Sequence, residues 1–197
     1  MPVQLEPLTD SADHESSPDS GNEKSLVSVR ELRGWVRDIF FAALTAILIV
    51  IFVVQPVKVE GTSMEPKLED QERIFVNKFI YHFSKIERGD IVVFWYPKDP
   101  TKSFIKRIVG VPGERVEIRR GQVYINGQRL DEPYVPANFL DAASYPPTIV
   151  PESHFFVLGD HRNSSNDSRN WGSVPHENIF GKAVFRYWPV SKLGLLE

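Results

Sequence analysis

The sequence predicts a mainly β protein, an antiparallel β-sheet domain with a smaller β insertion, preceded by one transmembrane helix. Three observations predict this architecture. A single long apolar run occupies residues 39–54, the chain after it contains short segments rich in β-branched and aromatic residues, and glycine and proline separate those segments. With 197 residues, the chain is long enough for one domain of ordinary size and additional segments.

The N-terminal segment, residues 1–29, is predicted to be a disordered tail. Residues 1–25 contain six acidic residues and one basic residue, together with many serines and few large apolar side chains. A segment of this composition buries too little apolar surface to offset the entropy that it loses on ordering. An acidic arm that binds a partner is the alternative.

Residues 30–56 are predicted to form a juxtamembrane segment and a transmembrane helix. Thr45 is the only polar residue between 39 and 54, and extension back to Trp35 gives about 20 residues, or roughly 30 Å of helix, which matches a bilayer core. A buried core helix would normally show a polar face. A cleaved signal sequence would start nearer the N-terminus and end at a small-residue site.

Basic residues lie mainly before this apolar run. Only Lys58 follows it closely, so the positive-inside rule predicts a cytoplasmic N-terminus and an extracytoplasmic domain over residues 57–197. The preceding basic residues are Lys24, Arg30, Arg33 and Arg37.

The domain over residues 57–197 is predicted to be built from short strands and a smaller β insertion at 111–152. The insertion contains Asn126-Gly127, a dipeptide favoured in type I′ hairpins, and five prolines between 131 and 151 that predict an irregular segment. Strands are predicted at 73–76, 90–96, 104–109, 154–158 and 183–188.

Composition excludes several kinds of chemistry. The chain has no cysteine, which excludes thiol nucleophiles, disulfides and thiolate metal sites, and no two of its five histidines have the i, i+4 spacing of a helical zinc site. Beyond residue 25 there are 22 basic and 20 acidic residues, a net charge of +2. This charge predicts no surface for nucleic acid.

Ser63 is a candidate nucleophile in the segment GTSMEPKL, residues 61–68. The segment lacks the second glycine of a G-x-S-x-G motif, and Pro66 occupies the position that a lysine has in S-x-x-K. A serine still becomes a nucleophile if a distant base takes its proton. A simple Gly-Thr-Ser turn is the alternative.

Lys106 is a candidate for that base. Alternation along the predicted strand 104–109 puts Lys106 on the same face as Phe104 and Ile108. Burial between apolar neighbours lowers the pKa of a lysine, which is about 10.4 in a free lysine, by up to roughly 3–5 units. The alternative is that the side chain extends to the surface.

A polar loop, GDHRNSSNDSRNWG at residues 159–172, follows the predicted strand 154–158. It contains two Asp, two Arg, three Asn and three Ser. This density of hydrogen-bonding groups is typical of a loop that positions side chains at a site, with a solvated loop as the alternative.

Four blocks in this order behind one predicted span resemble the type I signal peptidases, Ser/Lys enzymes that remove signal peptides from exported proteins. The resemblance covers about residues 35–190. The blocks are GTSMEPKL at 61–68, GDIVVFWYP at 89–97, FIKRIVGVPGERV at 104–116 and GDHRNSSNDSRNWGSVP at 159–175.

The resemblance implies roles for individual residues. Ser63 is then the nucleophile and Lys106 the general base, while the Ser165 hydroxyl orients the lysine. The residues that hold the site together are then Asp160, Asp167 and Arg169. No metal or cofactor is implied.

The sequence departs from the family pattern at three positions. Gly61 stands where some members have a serine that donates to the oxyanion hole, so the hole would rest on the Ser63 backbone N–H and a second donor that the sequence does not identify. His161 stands where the family often has Asn, and Lys67 where Thr is common.

The implied substrates are preproteins cut after small residues, bound as an added strand. Residues 57–64 and strand 90–96 are predicted to flank this substrate. Membrane lipid and the secretion machinery are the other implied partners, and the implied location is a bacterial cell membrane or a thylakoid membrane. A self-cleaving Ser/Lys repressor relative and a non-catalytic, membrane-tethered peptide-binding module remain as alternatives.

Overall fold

The structure, a computed structural model, describes residues 29–196, without the side chains of residues 29, 30 and 49–52. The described part of the chain divides into two compact units, with the boundary between residues 43 and 44. The tail predicted at residues 1–29 therefore lies almost entirely outside the described residues.

The first element is a helix of 25 residues, α1, Val29–Val53. The predicted span at residues 39–54 falls on this helix except for Val54, which begins the first strand, and the side chains at 49–52 lie outside the described part. A search of the described residues finds no helix with the length and apolar character needed to cross a bilayer.

Short strands make up most of the remaining chain. The two short helices are α2, Ile80–Phe83, and α3, Ser168–Trp171. The strands are β1 Val54–Lys58, β2 Arg73–Asn77, β3 Ile91–Tyr96, β4 Asp99–Gly110, β5 Arg115–Arg119, β6 Gln122–Ile125, β7 Gln128–Arg129, β8 Tyr145–Ile149, β9 His154–Leu158, β10 Val174–Pro175, β11 Ile179–Trp188 and β12 Gly194–Leu195.

The strands form two antiparallel sheets, which confirms the mainly β fold class. The larger sheet has the order β1-β2-β11-β3-β4-β9-β10, with β12 paired to β11. The smaller sheet has the order β7-β6-β5-β8. All five predicted strands are confirmed and lie in the larger sheet, where β11 begins four residues before the predicted start at 183.

The smaller sheet contains two tight hairpins and one unexpected strand. Asn126 and Gly127 both have positive φ, as a type I′ turn requires, and so do Arg120 and Gly121 between β5 and β6. The segment predicted to be irregular contains β8, which pairs with β5. Its two prolines are tolerated because β8 is an edge strand and both lie between Tyr145 and Thr148, where the pairing with β5 is irregular.

Three apolar clusters pack around the larger sheet. The first joins β2, β3 and β11 to the segment after Ser63 through fully buried Met64 and Leu68. The second joins the smaller sheet to Phe156 and Leu158 of β9. The third contains Phe94 of β3 and neighbouring side chains of β4 and β9. The segment that carries Ser63 is thus anchored by its own buried side chains.

Replacement of Gly127 by alanine is expected to lower the free energy of unfolding by about 1–2 kcal/mol, because an L-residue is strained at its φ of +85°. The added Cβ would meet only ordinary contacts, so the cost is conformational. Thermal unfolding of the full chain measures the change. Gly194→Ala is the control, since its Cβ would enter open space; equal stability of the two variants would contradict the prediction.

Candidate active site

Ser63 and Lys106, which are 43 positions apart in the chain, are in direct contact. Lys106 Nζ lies 2.6 Å from Ser63 Oγ and 2.9 Å from the Ile105 carbonyl oxygen. The side chain of Lys106 does not reach the surface, since the residue is only 3% exposed. The surface-lysine alternative is therefore excluded.

The position of Lys106 follows from alternation along β4. Phe104 and Ile108 belong to the same apolar cluster, and Lys106 Nζ lies 5.6 Å from the centre of the Phe104 ring. Loss of hydration is the largest influence on Lys106 and lowers its pKa to about 8. The negative charges of Asp167 and Asp160 partly oppose this effect. With this pKa, about a tenth of Lys106 is neutral at pH 7.

Ser63 lies in a turn whose two ends are fixed. On one side, the Gly61 N–H donates to Asp70 Oδ1 at 2.8 Å, and Gly61 has a φ of +92° that suits glycine. On the other side, the buried side chain of Met64 holds the turn against the core. The Ser63 N–H is bonded to no acceptor within residues 29–196.

The polar loop at 159–172 packs directly against this turn. Gly159 approaches the Ser63 carbonyl oxygen so closely that an added Cβ would lie 2.4 Å from it and 2.3 Å from Ser165 Oγ. The His161 N–H donates to the same Ser63 oxygen at 3.1 Å. Only glycine fits at 159, and the loop therefore fixes the backbone of Ser63.

Asp160 and Arg107 form a buried ion pair beneath the site. Arg107 donates from Nε and Nη2 to the two carboxylate oxygens of Asp160 at 2.9 and 2.6 Å. Because Arg107 follows Lys106 on β4, this pair attaches the lysine strand to the polar loop. Paired charges of this kind avoid the large cost of an isolated buried charge.

Asp167 and Arg169 organise the second half of the loop. Asp167 accepts hydrogen bonds from the Gly159 N–H at 3.1 Å and from Arg169 Nε at 2.8 Å, and it also caps α3. Arg169 in turn donates to the Arg162 carbonyl oxygen at 2.8 Å. These contacts are of the supporting kind that the resemblance implies.

Ser165 lies beside the pair without the contact predicted for it. Its Oγ is buried and has no hydrogen-bond partner among the described residues, and the hydrogen bonds of Lys106 go to Ser63 and Ile105. Its proximity to Gly159 nevertheless places it within the same packed group. An orienting role for Ser165 stays a prediction.

Several residues that hold the loop were not identified in the sequence. Glu132 forms a two-point ion pair with Arg162 at 2.9 and 2.6 Å, and Asp141 pairs with Arg169 at 2.5 Å. Both acids come from the proline-rich segment, 30 and 28 positions away from their partners. No local pattern predicts such distant pairs, so sequence reasoning had no signal for them.

A cleft of about 140 Å³ opens at Ser63 and Lys106. Two segments form its long sides, residues 57–61 and residues 103–105, with Met64 and Val93 among the other lining residues. All of residues 57–64 except Thr62 line this cleft, and the prediction that they flank a bound peptide stays a prediction. β1 is an edge strand, and β4 before residue 106 pairs only with β3 among the described residues.

The prediction that strand 90–96 offers a free edge is wrong. β3 is hydrogen-bonded to β11 on one side and to β4 on the other. A strand inside a sheet has no unpaired groups for a peptide, and the exposed backbone beside the cleft belongs to β4 at 103–105. Sequence alternation alone does not show which strand lies at an edge.

The site contains the groups needed for acyl transfer. A hydroxyl in contact with a partly neutral amine can lose its proton and attack a carbonyl carbon. Within the described residues, no group of three or more His, Cys, Asp or Glu side chains is arranged to hold a metal ion.

Comparison with known proteins gives consistent matches over most of the chain. A family model described as signal peptidase, peptidase S26, matches residues 32–188. The probable signal peptidase I-2 of Synechocystis sp. is 44% identical over 161 residues, 79% of this chain and 72% of that protein. The signal peptidase I of Bacillus licheniformis is 36% identical over 180 residues, 87% of this chain and 96% of that protein. A crystal structure of a signal peptidase I from Enterococcus faecalis is 36% identical and covers 50% of this chain and 97% of that chain, with a TM-score of 0.44.

Proposed function

Because the chain belongs to the signal peptidase family, peptidase S26, we propose that it is a membrane-bound serine endopeptidase that cleaves signal peptides from exported preproteins. Ser63 is the nucleophile and Lys106 the general base. One observation supports this assignment above all: the 2.6 Å contact between Ser63 Oγ and a buried Lys106 Nζ. The working domain comprises residues 57–197.

The reaction is acyl transfer through a serine ester. Neutral Lys106 takes the Ser63 proton as the Ser63 oxygen forms a bond to the scissile carbonyl carbon. The C–N bond then breaks, and the Lys106 ammonium gives its proton to the leaving amine. Water attacks the ester with Lys106 again as base, the acid product leaves, and the proton returns to Ser63. Every proton passes through Lys106, and no metal or cofactor takes part.

The oxyanion of the tetrahedral intermediate binds to the Ser63 N–H. This group suits the role because no acceptor within residues 29–196 is bonded to it. Gly61 has no side-chain donor, and its own N–H is bonded to Asp70. The loss of one oxyanion donor typically costs about 10²–10³ in rate, so the orientation of the Ser63 N–H is important here.

The substrate binds as an extended strand in the cleft. Strand addition uses the outer edges of β1, which pairs only with β2, and of β4 at residues 103–105, which pair only with β3 among the described residues. Alternate side chains of an extended peptide point the same way, so the first and third residues before the cut face the apolar floor, where Met64 and Val93 lie. The small cleft volume favours small side chains at these two positions.

The supporting residues act through the backbone and through charge. Asp160, Asp167 and Arg169 fix the loop that contacts the Ser63 carbonyl oxygen. Ser165 orients the Lys106 amine when Nζ moves away from Ser63 during the reaction. Its buried hydroxyl, which has no partner among the described residues, is suited to accept a hydrogen bond from that ammonium.

The chain spans its membrane once through the apolar run at 39–54, with the N-terminus in the cytoplasm. The apolar side chains of α1 support this proposal, because a soluble helix rarely exposes so many of them. Those exposed are Leu32, Trp35, Val36, Ile39, Phe40, Phe41, Leu44, Ile47 and Leu48. Such anchoring would also raise the local concentration of membrane-inserted signal peptides near Ser63.

Ser63→Ala and Lys106→Met are each expected to abolish cleavage of a preprotein in detergent, since each removes one half of the reacting pair. The cleavage rate should fall by more than about a thousandfold, because removing one member of a pair that acts as a unit costs about as much as removing both. Gel analysis of precursor and mature protein measures it. Lys102→Met is the matched control, because Lys102 is exposed on the same strand. Peptide binding without cleavage in the unmodified protein would instead indicate the peptide-binding module.

The value of kcat/KM is expected to rise with pH and level off above about 8, the pKa of Lys106. The value of kcat/KM rises with pH because only the neutral amine accepts the serine proton. At pH 6, about one hundredth of the lysine is neutral, so the rate should fall roughly a hundredfold below the plateau. Steady-state rates on a fluorogenic peptide measure the profile. A flat profile between pH 6 and 9 would argue against a lysine base.

Expression of the full chain in bacteria should place it in the membrane fraction, resistant to carbonate extraction. Added protease should digest the domain over residues 57–197 in spheroplasts and leave the N-terminal segment protected, as the basic residues before the span predict. Epitope tags at each end identify the fragments. Protection of the C-terminal tag in intact spheroplasts would reverse the proposed orientation.

A further inference from the structure

We propose that His161 is a positioning residue that orients the peptide group between Thr62 and Ser63, and through it the Ser63 N–H that binds the oxyanion. This inference rests on the proposed function, since an oxyanion forms only during acyl transfer. It assigns a role in the reaction to a side chain that the family resemblance marks only as a departure from the usual pattern.

His161 bonds to two successive carbonyl oxygens around the nucleophile. Its imidazole Nδ1 lies 3.1 Å from the Thr62 oxygen, and its backbone N–H donates to the Ser63 oxygen at 3.1 Å. A carbonyl oxygen only accepts hydrogen bonds, so Nδ1 is the protonated nitrogen of the ring. Both peptide groups that flank the Ser63 α-carbon on its two sides are therefore held by one residue.

The hydrogen bonds to the Thr62 oxygen determine where the Ser63 N–H points, and His161 Nδ1 supplies one of them at 3.1 Å beside the Glu65 N–H at 3.0 Å. The Thr62 carbonyl and the Ser63 N–H belong to the same planar, trans peptide group, so they point in opposite directions. A donor that fixes the oxygen on one side also fixes the N–H on the other. That N–H is bonded to no acceptor among the described residues and belongs to a residue that lines the cleft.

The imidazole is itself held in place. The rings of His161 and Phe139 have centroids 4.1 Å apart, and Glu65 Oε2 lies 3.4 Å from Nδ1. The side chain of His161 is only 16% exposed. A carboxylate on this side of the ring favours the proton on Nδ1, which is the form that donates to Thr62. The donor is thus arranged before substrate binds.

The local sequence makes this orientation important. Gly61, whose φ of +92° suits glycine, brings no side-chain donor to the oxyanion. Thr62 does not line the cleft, and its Oγ1 lies 3.4 Å from Ser164 Oγ, so its hydroxyl does not supply a donor to the substrate. Among the residues around Ser63, the backbone N–H of Ser63 remains to stabilise the oxyanion.

The test compares His161→Asn with His161→Leu. The two replacements are almost equal in size and both lose the ring contact with Phe139, but only Asn places an N–H donor where Nδ1 lies. We expect the Leu variant to lose about 10–100-fold in kcat with KM within about twofold, because an oxyanion donor acts in the transition state. The Asn variant should retain kcat within about threefold of the unmodified chain.

A second measurement isolates the oxyanion from general damage. A peptide aldehyde forms a tetrahedral adduct with a serine hydroxyl, whereas the matching peptide alcohol binds without one. The Leu variant should bind the aldehyde at least about tenfold more weakly and the alcohol unchanged. His161→Phe, which keeps an aromatic ring beside Phe139, replaces the Leu variant if thermal unfolding shows that Leu destabilises the protein.

The outcomes separate the two proposals. Equal kcat in the Asn and Leu variants, or a loss confined to KM, overturns the role of His161 while leaving the peptidase assignment intact. Equal aldehyde affinity in the unmodified and Leu proteins would likewise overturn the role of His161 and leave the peptidase assignment intact. An unmodified chain that cleaves no preprotein, and whose Ser63 forms no aldehyde adduct, contradicts the proposed function itself.

Discussion

The contact between Ser63 Oγ and Lys106 Nζ depends on keeping water away from an amine, and the rest of the structure supplies that exclusion. Lys106 is 3% exposed, and burial lowers its pKa from 10.5 to about 8. The shift corresponds to about 3 kcal/mol of preference for the neutral form. Since the folded pKa lies below the unfolded value, this destabilisation is full below pH 8 and is relieved as pH rises from about 8 to 10.5. The fold is therefore less stable at neutral pH than it would be with an exposed lysine at this position.

Separate parts of the chain meet to maintain this contact. Lys106 is fixed by β4, Ser63 by a turn anchored through Met64, and the polar loop at 159–172 lies against both. The smaller β region also takes part, because Glu132 pairs with Arg162 and so attaches the proline-rich segment to the loop. The loop therefore cannot move without breaking buried ion pairs. Such redundancy suits a site whose donors and acceptors must keep their directions.

Local sequence patterns predict the parts of this fold that depend on neighbours in the chain. Alternation along β4 predicted both the strand and the buried face of Lys106, and Asn126-Gly127 predicted its hairpin. Local sequence patterns do not predict features that depend on residues distant in the chain. The strand at 90–96 looks like any other strand in the sequence, and only the pairing with β11 and β4 makes it central. The proline-rich β8 and the ion pairs of Glu132 and Asp141 belong to the same class of feature.

The free strand edges at the cleft have a consequence for the behaviour of the protein in solution. Unpaired edges are the surfaces through which sheets of different molecules join and aggregate. The edge of the smaller sheet is blunted by Pro146 and Pro147 of β8, which donate no backbone hydrogen bonds. The strand edges along the cleft cannot carry prolines in this way, because the proposed strand addition requires their backbone N–H and C=O groups. Residues 57–61 and 103–105 line one cavity, so a peptide strand bound there as proposed would cover both edges at once. A peptide bound at this site would therefore also keep the two edges from pairing with a strand of another molecule.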